Sequence, residues 1–176
     1  MKNYLLFSFL AGMLAWGVLT PANAYAQTPF CKDSLLNAAR EIVNGAPYCA
    51  LASIDSTGQP QIRTMNPFPL SDGFVIWFAT SRSSAKVAEI KRNPKVAVYF
   101  ADHVKGNGYA TITGNAEIID DKNLLLKMKR DYWDHLPGWQ DIFVLIKVTP
   151  SKIEVINYKH NFINDPKTFK APSVIL

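Results

Sequence analysis

The sequence predicts a mainly β fold with few helices, in which an antiparallel sheet closes into a barrel. Six or seven short apolar segments follow one another along the chain, separated by turn sequences such as Asp55-Ser56-Thr57-Gly58 and Ser71-Asp72-Gly73. Three further segments have the spacing of amphipathic helices, which is too few to cover both faces of a layered α/β sheet. Many short strands with few helices are typical of a barrel.

The predicted elements follow in a simple order. A first helix is expected over Ser34–Asn44, where Gly45 ends it, a second over Ser84–Arg92 and a third over Lys122–Leu136. The expected strands are Tyr48–Ile54, Gln61–Met65, Phe74–Thr80, Val96–Phe100, Tyr109–Ile119, Ile142–Val148 and Lys152–Tyr158. No linker or internal repeat divides them, so the sequence predicts one domain.

The first 26 residues have the features of a secretory signal peptide. Lys2 gives a positive start, Tyr4–Leu19 is apolar, and Ala24-Tyr25-Ala26 is a small-x-small cleavage site. The alternative is an uncleaved membrane anchor, because the apolar run approaches the ~18 residues that a membrane span requires. The segment lacks a twin arginine, so we expect a Sec-type signal and a periplasmic or secreted protein. We predict a signal peptide at 1–26 and a single domain at 27–176.

Composition and charge argue against several other classes of protein. The net charge is +5, but lysine and arginine are spread along the chain, so no nucleic-acid partner is predicted. No membrane contact is expected after the signal is removed. The sequence has no C-x-x-C, H-E-x-x-H, G-x-S-x-G or Walker motif, and His103, His135 and His160 are scattered. No metal site is therefore predicted.

Two cysteines, Cys31 and Cys49, belong to the predicted mature chain. The expected export permits a disulfide bond between them, because the compartments outside the cytoplasm are oxidising. The alternative is that Cys49, which falls within an apolar strand, is a small hydrophobic residue of the core. The sequence leaves both possibilities open.

A candidate anion site lies where an apolar strand meets the second helix. Hydroxyl groups are available on Thr80, Ser81 and Ser84, and Lys86 lies in the first helical turn. A helix start offers unpaired backbone N–H groups and the positive end of the dipole, and both favour a phosphate. The alternative is a surface helix whose serines cap its own N-terminus. Arg63 is a further candidate for this site, because a half-buried arginine is well suited to bind a phosphate. The alternative is that Arg63 forms an internal salt bridge with an Asp or Glu.

Four motifs occur in order along the chain: RTMNPF at Arg63–Phe68, FATSRSSAK at Phe78–Lys86, NPKVAVYF at Asn93–Phe100 and TITGNAEII at Thr111–Ile119. Together they resemble the FMN-binding split barrels, the pyridoxamine 5'-phosphate oxidase-like flavoproteins, and most of all their short general-stress-protein branch. The resemblance extends over about residues 35–157. It implies a split β-barrel that binds FMN at the interface of a homodimer.

The resemblance also implies which residues contact the flavin. In the family, the arginine of the first motif holds the phosphate and the next two residues pass along the ring. The strand end of the second motif contacts ring and ribityl oxygens, and a serine and a lysine beyond it hold the phosphate. Tyr109 lies near the position where the oxidases have a glutamine that points toward the cofactor. It either contacts the cofactor or belongs to the barrel core. The candidate cofactor-binding residues are Arg63, Thr64, Met65, Ala79, Thr80, Ser81, Ser84, Lys86 and Tyr109.

Two departures from the family pattern bear on function. Many members have Arg-Lys where this chain has Ala85-Lys86, so one phosphate-binding cation is missing, and Arg82 is the candidate to replace it. The vitamin-B6 oxidases end with an Arg-x-His motif that binds substrate, whereas this chain has Asn157-Tyr158-Lys159-His160-Asn161-Phe162. Oxidation of pyridoxamine 5'-phosphate is therefore not expected, and the resemblance identifies neither a substrate nor a catalytic residue.

The function implied is that of an exported, FMN-dependent oxidoreductase acting on an unknown small molecule. Two alternatives remain open. Some split barrels bind haem through a histidine, which makes His160 a candidate ligand, and a non-catalytic barrel that binds flavin or another ligand would keep the same motifs. Trp133 and Trp139 either cover a ligand or pack at a helix end. The apolar C-terminal tail either extends the dimer interface or folds back on its own barrel; its apolar residues are Phe162, Ile163, Phe169, Val174, Ile175 and Leu176.

Overall fold

The computed structural model describes residues 31–176, so the predicted signal peptide at 1–26 lies outside the described residues. The strands are β1 Cys49–Ile54, β2 Pro60–Met65, β3 Ile76–Ser81, β4 Lys95–Ala101, β5 Gly108–Ile119, β6 Phe143–Asn157 and β7 Ser173–Ile175. The helices are α1 Lys32–Gly45, α2 Ala85–Arg92, α3 Lys122–Lys127 and α4 Trp139–Ile142. Within this part of the chain, no helix combines the length and apolar character needed to cross a membrane.

All strand pairs are antiparallel and belong to one curled sheet. The spatial order is β2-β1-β4-β5-β6-β3, and β7 pairs with β6 beyond the end of β3. The long strand β6 therefore has β5 along one edge and shares its other edge between β3 and β7. The chain beyond β2 meets β3, because the Phe68 N–H donates to the carbonyl oxygen of Trp77 at 2.9 Å. This curled sheet confirms the predicted mainly β, split-barrel fold.

Most of the predicted elements are confirmed within two residues. Helices α1 and α2 occupy the expected segments, as do strands β1, β2, β4 and β5. Strand β3 begins at Ile76 rather than Phe74. Phe74 lies in a short 3-10 turn with a φ of 60°, a conformation that does not continue into a strand.

The two strands predicted over Ile142–Val148 and Lys152–Tyr158 are in fact the single strand β6. Pro150 lies at the junction, and it pairs with Gly114 where the register between β5 and β6 shifts. An irregularity of this kind accommodates proline because the ladder hydrogen bonds are already interrupted there. The strands also approach closely, since a Cβ atom on Gly114 would lie 2.1 Å from the carbonyl oxygen of Thr149.

The helix predicted over Lys122–Leu136 is too long. Helix α3 ends at Lys127, and a 3-10 turn follows over Asp131–His135. Trp133 in that turn is 1% exposed, and its ring centroid lies 5.1 Å from that of Trp139. Burying this indole against a second aromatic residue outweighs the helix propensity of the segment. Trp133 and Trp139 therefore pack against each other, as one of the two alternatives for these residues expected.

The core has two parts. The larger lies between the curled sheet and α1, which contributes Leu35 and Ile42 against inward strand residues such as Leu51 and Val98. The smaller cluster forms around Trp133, where α3 and α4 pack against the start of β6; its buried members are Leu125, Trp133, Trp139 and Leu145. The smaller cluster fixes the segment after α3 in place beside β3.

Alternating burial along β1 and β4 gives the sheet two faces, one of which no helix or strand of residues 31–176 covers. Leu51 and Val98 point into the core, so their strand neighbours point to the opposite side, which we call the outer face. Its side chains are small, apart from an exposed Ile62 and a partly buried Tyr99. The outer face comprises Ala50, Ala52, Ile62, Thr64, Ala97, Tyr99, Thr111 and Thr113.

The C-terminal tail folds back on its own barrel over part of its length. Strand β7 pairs with β6, and Phe162 is 5% exposed. Phe169 and Ile175 remain largely exposed. The end of the tail is therefore held by this chain's own sheet.

Candidate functional site

A cleft separates strands β2 and β3, the two ends of the spatial strand order. β2 contributes Thr64 and Met65, and β3 contributes Ala79 and Thr80. These four residues were predicted as cofactor contacts, and the curl of the sheet brings them to one cleft. The volume of about 230 Å³ is appropriate to part of a small molecule. The remaining wall is formed by Asn66, Arg130, Tyr132, Trp133 and Phe143.

Arg63 points inward from β2, immediately before the cleft residue Thr64. Its Nη2 donates to Oε2 of Glu89 at 3.0 Å, and its Nη1 donates to Oγ of Ser53 at 2.5 Å. Ser53 in turn donates to the same carboxylate oxygen of Glu89, and both partners are buried. Arg63 therefore has an internal acidic partner, Glu89, which was one of the two alternatives that the sequence left open. A guanidinium has five N–H groups, so this pairing orients Arg63 and leaves donors available for a ligand.

Lys86 lies beside Arg63 and contacts the cleft through Thr80. Its Nζ donates to Oγ1 of Thr80 at 3.1 Å, and that oxygen lies 3.2 Å from Oγ of Ser84. Burial and, secondarily, the positive charge of Arg63 lower the pKa of Lys86, while Glu89 opposes this shift. We call Arg63, Thr80, Ser84 and Lys86 the donor cluster. The donor cluster has two cations and two hydroxyls, and the buried carboxylate of Glu89 beside it reduces the net charge of the site to one positive charge, which suits a phosphate.

The N-terminus of α2 is open toward the donor cluster. Ser84 is the N-cap residue, but its side chain makes no capping hydrogen bond. Its hydroxyl is instead paired with Thr80, so the alternative of a self-capped surface helix does not describe this serine. The N–H groups of Ala85 and Lys86 have no partner within the helix, because they precede its first turn of hydrogen bonds. They add to the donors that an anion would meet there.

Two residues of the same turn do not join the donor cluster. Arg82, the candidate replacement for the missing cation, pairs with both carboxylate oxygens of Asp120 at 2.7 and 3.0 Å. Its Nε also donates to the carbonyl oxygen of Asp141. The hydroxyl of Ser81 lies 2.9 Å from that of Ser83. Arg82 therefore does not supply the missing charge in this chain.

Tyr109 is not brought to the cleft within one chain. Its ring lies 5.5 Å from that of Tyr99, a residue of the outer face, and Tyr99 stacks in turn on His103. Beside this stack is a depression of about 460 Å³ that Thr64 also lines. Burial raises the pKa of Tyr109, and the charge of Glu154 adds to that shift. Tyr109 therefore lies beside the outer face, and Thr64 lines both the depression and the cleft.

His160, the candidate haem ligand, lies against α1. Its Nε2 is 2.5 Å from Oε2 of Glu41, and Lys159 donates to the other oxygen of the same carboxylate. His160 does not line the cleft between β2 and β3. Over residues 31–176, no group of three or more His, Cys, Asp or Glu side chains is arranged to hold a metal ion.

The two cysteines are free in this structure. Cys31 is exposed, whereas Cys49 is buried at the start of β1. Burial raises the pKa of the Cys49 thiol to about 12. Cys49 therefore has the environment of a core hydrophobe, as one of the two sequence alternatives expected.

A family model described as pyridoxamine 5'-phosphate oxidase matches residues 35–157. The match includes strands β1 to β6 and every residue that lines the cleft. The chain belongs to the pyridoxamine 5'-phosphate oxidase family. No functionally curated relative matches the chain.

Solved structures of the pyridoxamine 5'-phosphate oxidase fold resemble this chain over most of its length. General Stress Protein 26 from Bacillus anthracis str. Sterne is 23% identical, with 80% of this chain and 97% of that chain covered and a TM-score of 0.61. A protein related to general stress protein 26 from Clostridium acetobutylicum is 18% identical, with 83% and 97% covered and a TM-score of 0.65. An F420 reductase is 27% identical, with 65% and 94% covered and a TM-score of 0.54. These likenesses confirm the split-barrel fold.

Several residues of this site were not predicted from the sequence, among them Glu89, Arg130 and Tyr132. Glu89 follows Lys86 by three positions, so helical spacing alone places the two on one side of α2 and could have indicated their proximity. Arg130 and Tyr132 carry no such local signal. The hydrogen bond from Arg130 to the carbonyl oxygen of Pro67 joins positions 63 residues apart, and only the folded sheet brings them together.

Proposed function

We propose that this protein binds FMN in the cleft between β2 and β3 and uses it to oxidise or reduce a small molecule. The observation that carries the proposal is the donor cluster, in which Arg63 and Lys86 converge with two hydroxyls at an open helix N-terminus. Such a set of donors is appropriate to a phosphate group. Membership of the pyridoxamine 5'-phosphate oxidase family supports a flavin, as does a solved neighbour named F420 reductase.

The residues present fit FMN at both of its ends. The donor cluster offers cationic and hydroxyl groups to the phosphate, and the adjoining cleft offers the flat ring an apolar surface that includes Met65 and Ala79. The departure from the family at Ala85 leaves fewer cations than many members have. Glu89 further reduces the net charge, so we expect FMN affinity to depend strongly on both Arg63 and Lys86.

Each part of the chain would have a separate task in the bound state. Arg63, oriented by Glu89, and Lys86 would hold the phosphate, while backbone and side chains of Thr64 and Met65 would pass along the ring. The flavin itself supplies the redox chemistry. The protein's contribution is then to fix the ring, to exclude water from its buried side and to admit one small substrate.

We propose further that the functional unit is a homodimer, formed outside the cytoplasm after signal cleavage. The outer face supports this assembly, because it presents an exposed Ile62 among small side chains that a second sheet could approach closely. Tyr109 lies beside that face, so in a dimer it would be available to the cofactor of the second subunit. The predicted export rests on residues 1–26 of the sequence alone.

The proposal is tested by titrating the apo mature protein with FMN and with riboflavin while following flavin fluorescence. We expect FMN to bind at least about 10-fold more tightly, because each charge-assisted hydrogen bond to the phosphate contributes roughly 1.5–3 kcal/mol. Equal affinity for the two flavins would show that the donor cluster does not bind the phosphate. Failure to bind either would refute the proposal. Bound FMN that reduced nicotinamide donors cannot reduce would favour a non-catalytic, ligand-binding barrel instead.

A further inference from the structure

Arg130 is fixed in the wall of the cleft by contacts to uncharged groups. Its Nη2 donates to the carbonyl oxygen of Asn66 at 3.2 Å and to that of Pro67 at 2.7 Å. Its guanidinium also stacks on the ring of Phe68, with 4.4 Å between Cζ and the ring centroid. These contacts hold the guanidinium in one position without neutralising its charge.

No acidic side chain among residues 31–176 forms an ion pair with Arg130. Asp134, an acid of the same segment, pairs with Lys129, and Asp131 does not line the cleft. The Nε and Nη1 groups of Arg130 make no hydrogen bond to the described part of the chain. Arg130 therefore keeps its positive charge and two kinds of N–H donor available for an external anion.

The surroundings of Arg130 indicate what kind of anion would fit. The cleft wall next to it contains Trp133, Phe143 and Met65, and Tyr132 is 54% exposed on the same wall. Trp133 packs edge-on against Phe68, the ring that supports Arg130, so guanidinium and aromatic wall form one rigid unit. A planar guanidinium beside an aromatic wall suits a carboxylate that carries a flat, apolar body.

We propose that Arg130 anchors the substrate in this cleft and that the substrate is a small organic carboxylate with an apolar body. This inference rests on the proposed function in taking the cleft as the place of reaction. It assigns Arg130 a different task from the donor cluster, because Arg63 and Lys86 do not line the wall that Arg130 forms. The carboxylate accepts hydrogen bonds from Nε and Nη1 while Nη2 keeps its contacts to the backbone.

The test uses benzoate as the probe and benzamide as its neutral analogue, with the mature protein both free of flavin and loaded with FMN. Calorimetry is expected to show that benzoate binds and that benzamide binds at least about 10-fold more weakly. Arg130→Gln is expected to weaken benzoate binding by a similar factor. Arg92→Gln is the matched control, because Arg92 also donates to a backbone carbonyl but lies outside the cleft.

Several results would overturn the inference. They are failure of benzoate to bind the folded parent protein, equal binding of benzoate and benzamide, and equal binding of benzoate by the parent and Arg130→Gln. Loss of FMN affinity in Arg130→Gln would also overturn it, because Arg130 would then be a cofactor contact. Should Arg130→Gln fail to fold, Arg130→Lys keeps the charge without the planar fork and is expected to lose benzoate affinity in part.

The two proposals can fail independently. Benzoate binding that depends on Arg130 in a protein that does not bind FMN would reject the flavin and keep the carboxylate site. FMN binding, together with equal benzoate binding by the parent and Arg130→Gln, would keep the flavin site and reject the carboxylate site.

Discussion

Arg63 and Glu89 form an ion pair between β2 and α2, in which Nη2 of the arginine lies 3.0 Å from Oε2 of Glu89, a residue that is 6% exposed. Ser53 donates to the same oxygen, so the carboxylate has two partners inside the protein. The arginine that the family resemblance assigns to the phosphate is thus also a structural residue. Replacing it is expected to alter stability as well as ligand binding.

We expect Arg63→Ala to lower the free energy of unfolding by about 2–4 kcal/mol, because it leaves Glu89 buried without its charged partner. The double variant Arg63→Ala/Glu89→Gln should recover much of this loss, since no buried charge then remains unpaired. Denaturant unfolding of the parent, both single variants and the double variant measures the coupling. Equal stability of Arg63→Ala and the double variant would show that the ion pair is not the source of the effect.

Lys86→Met is expected to weaken FMN binding without lowering the stability of the fold. We expect it to weaken FMN binding by about 10- to 100-fold, because a charge-assisted donor is lost. Lys91→Met, on the exposed side of the same helix, is the control and should bind FMN like the parent. Equal FMN affinity in Lys86→Met and the parent would remove Lys86 from the phosphate site.

The same variant has a predicted pH dependence. The folded protein holds the Lys86 proton less tightly than the unfolded chain, because burial and Arg63 lower its pKa below 10.5. The charged lysine therefore destabilises the apo protein below the folded pKa, and this penalty disappears as the pH rises toward the unfolded value. Melting curves should show Lys86→Met at least as stable as the parent at pH 7, with any advantage shrinking toward pH 10. A clear loss of stability at pH 7 would contradict this.

The outer face predicts how the dimer can be broken. Ile62 is 72% exposed there, and Ile62→Lys is expected to yield a monomer by light scattering and to reduce FMN affinity. Leu126→Lys is the control, because Leu126 is 52% exposed on helix α3 and does not belong to the outer face. A parent protein that remains monomeric with saturating FMN would exclude the proposed shared site.

The two thiols should differ in reactivity. Cys31 is exposed, while Cys49 is buried with a pKa raised to about 12. A thiol reagent at pH 8 is expected to label Cys31 in the folded protein and Cys49 only after denaturation, because the thiolate is the reactive form. Absence of both thiols in the denatured, unreduced protein would instead reveal a disulfide bond.

Local sequence signals predicted the positions of most helices and strands, because alternation and turn residues act over a few neighbouring positions. They failed where packing decides: Pro150 looked like the end of a strand but lies within β6, and Trp133 ends a helical pattern by entering a core. The motif order indicated the four cleft residues of β2 and β3. It gave no indication of Arg130, which the sequence placed within the predicted helix Lys122–Leu136 and which the structure places after the end of α3.

The sequence by itself determined the family, the mainly β fold and the set of residues that includes Arg63, Thr80, Ser84 and Lys86, since each is encoded by short motifs in a fixed order. Only the tertiary structure decided what those residues do to one another. It paired Arg63 with Glu89, turned Arg82 to Asp120 and placed Tyr109 beside the outer face. It also left Arg130 in the cleft without an acidic partner among the residues that the structure describes. The physical reason is that charge pairing and burial depend on distances between strands and helices that are far apart in the chain. Those distances are fixed when the sheet curls and brings β2 and β3 together.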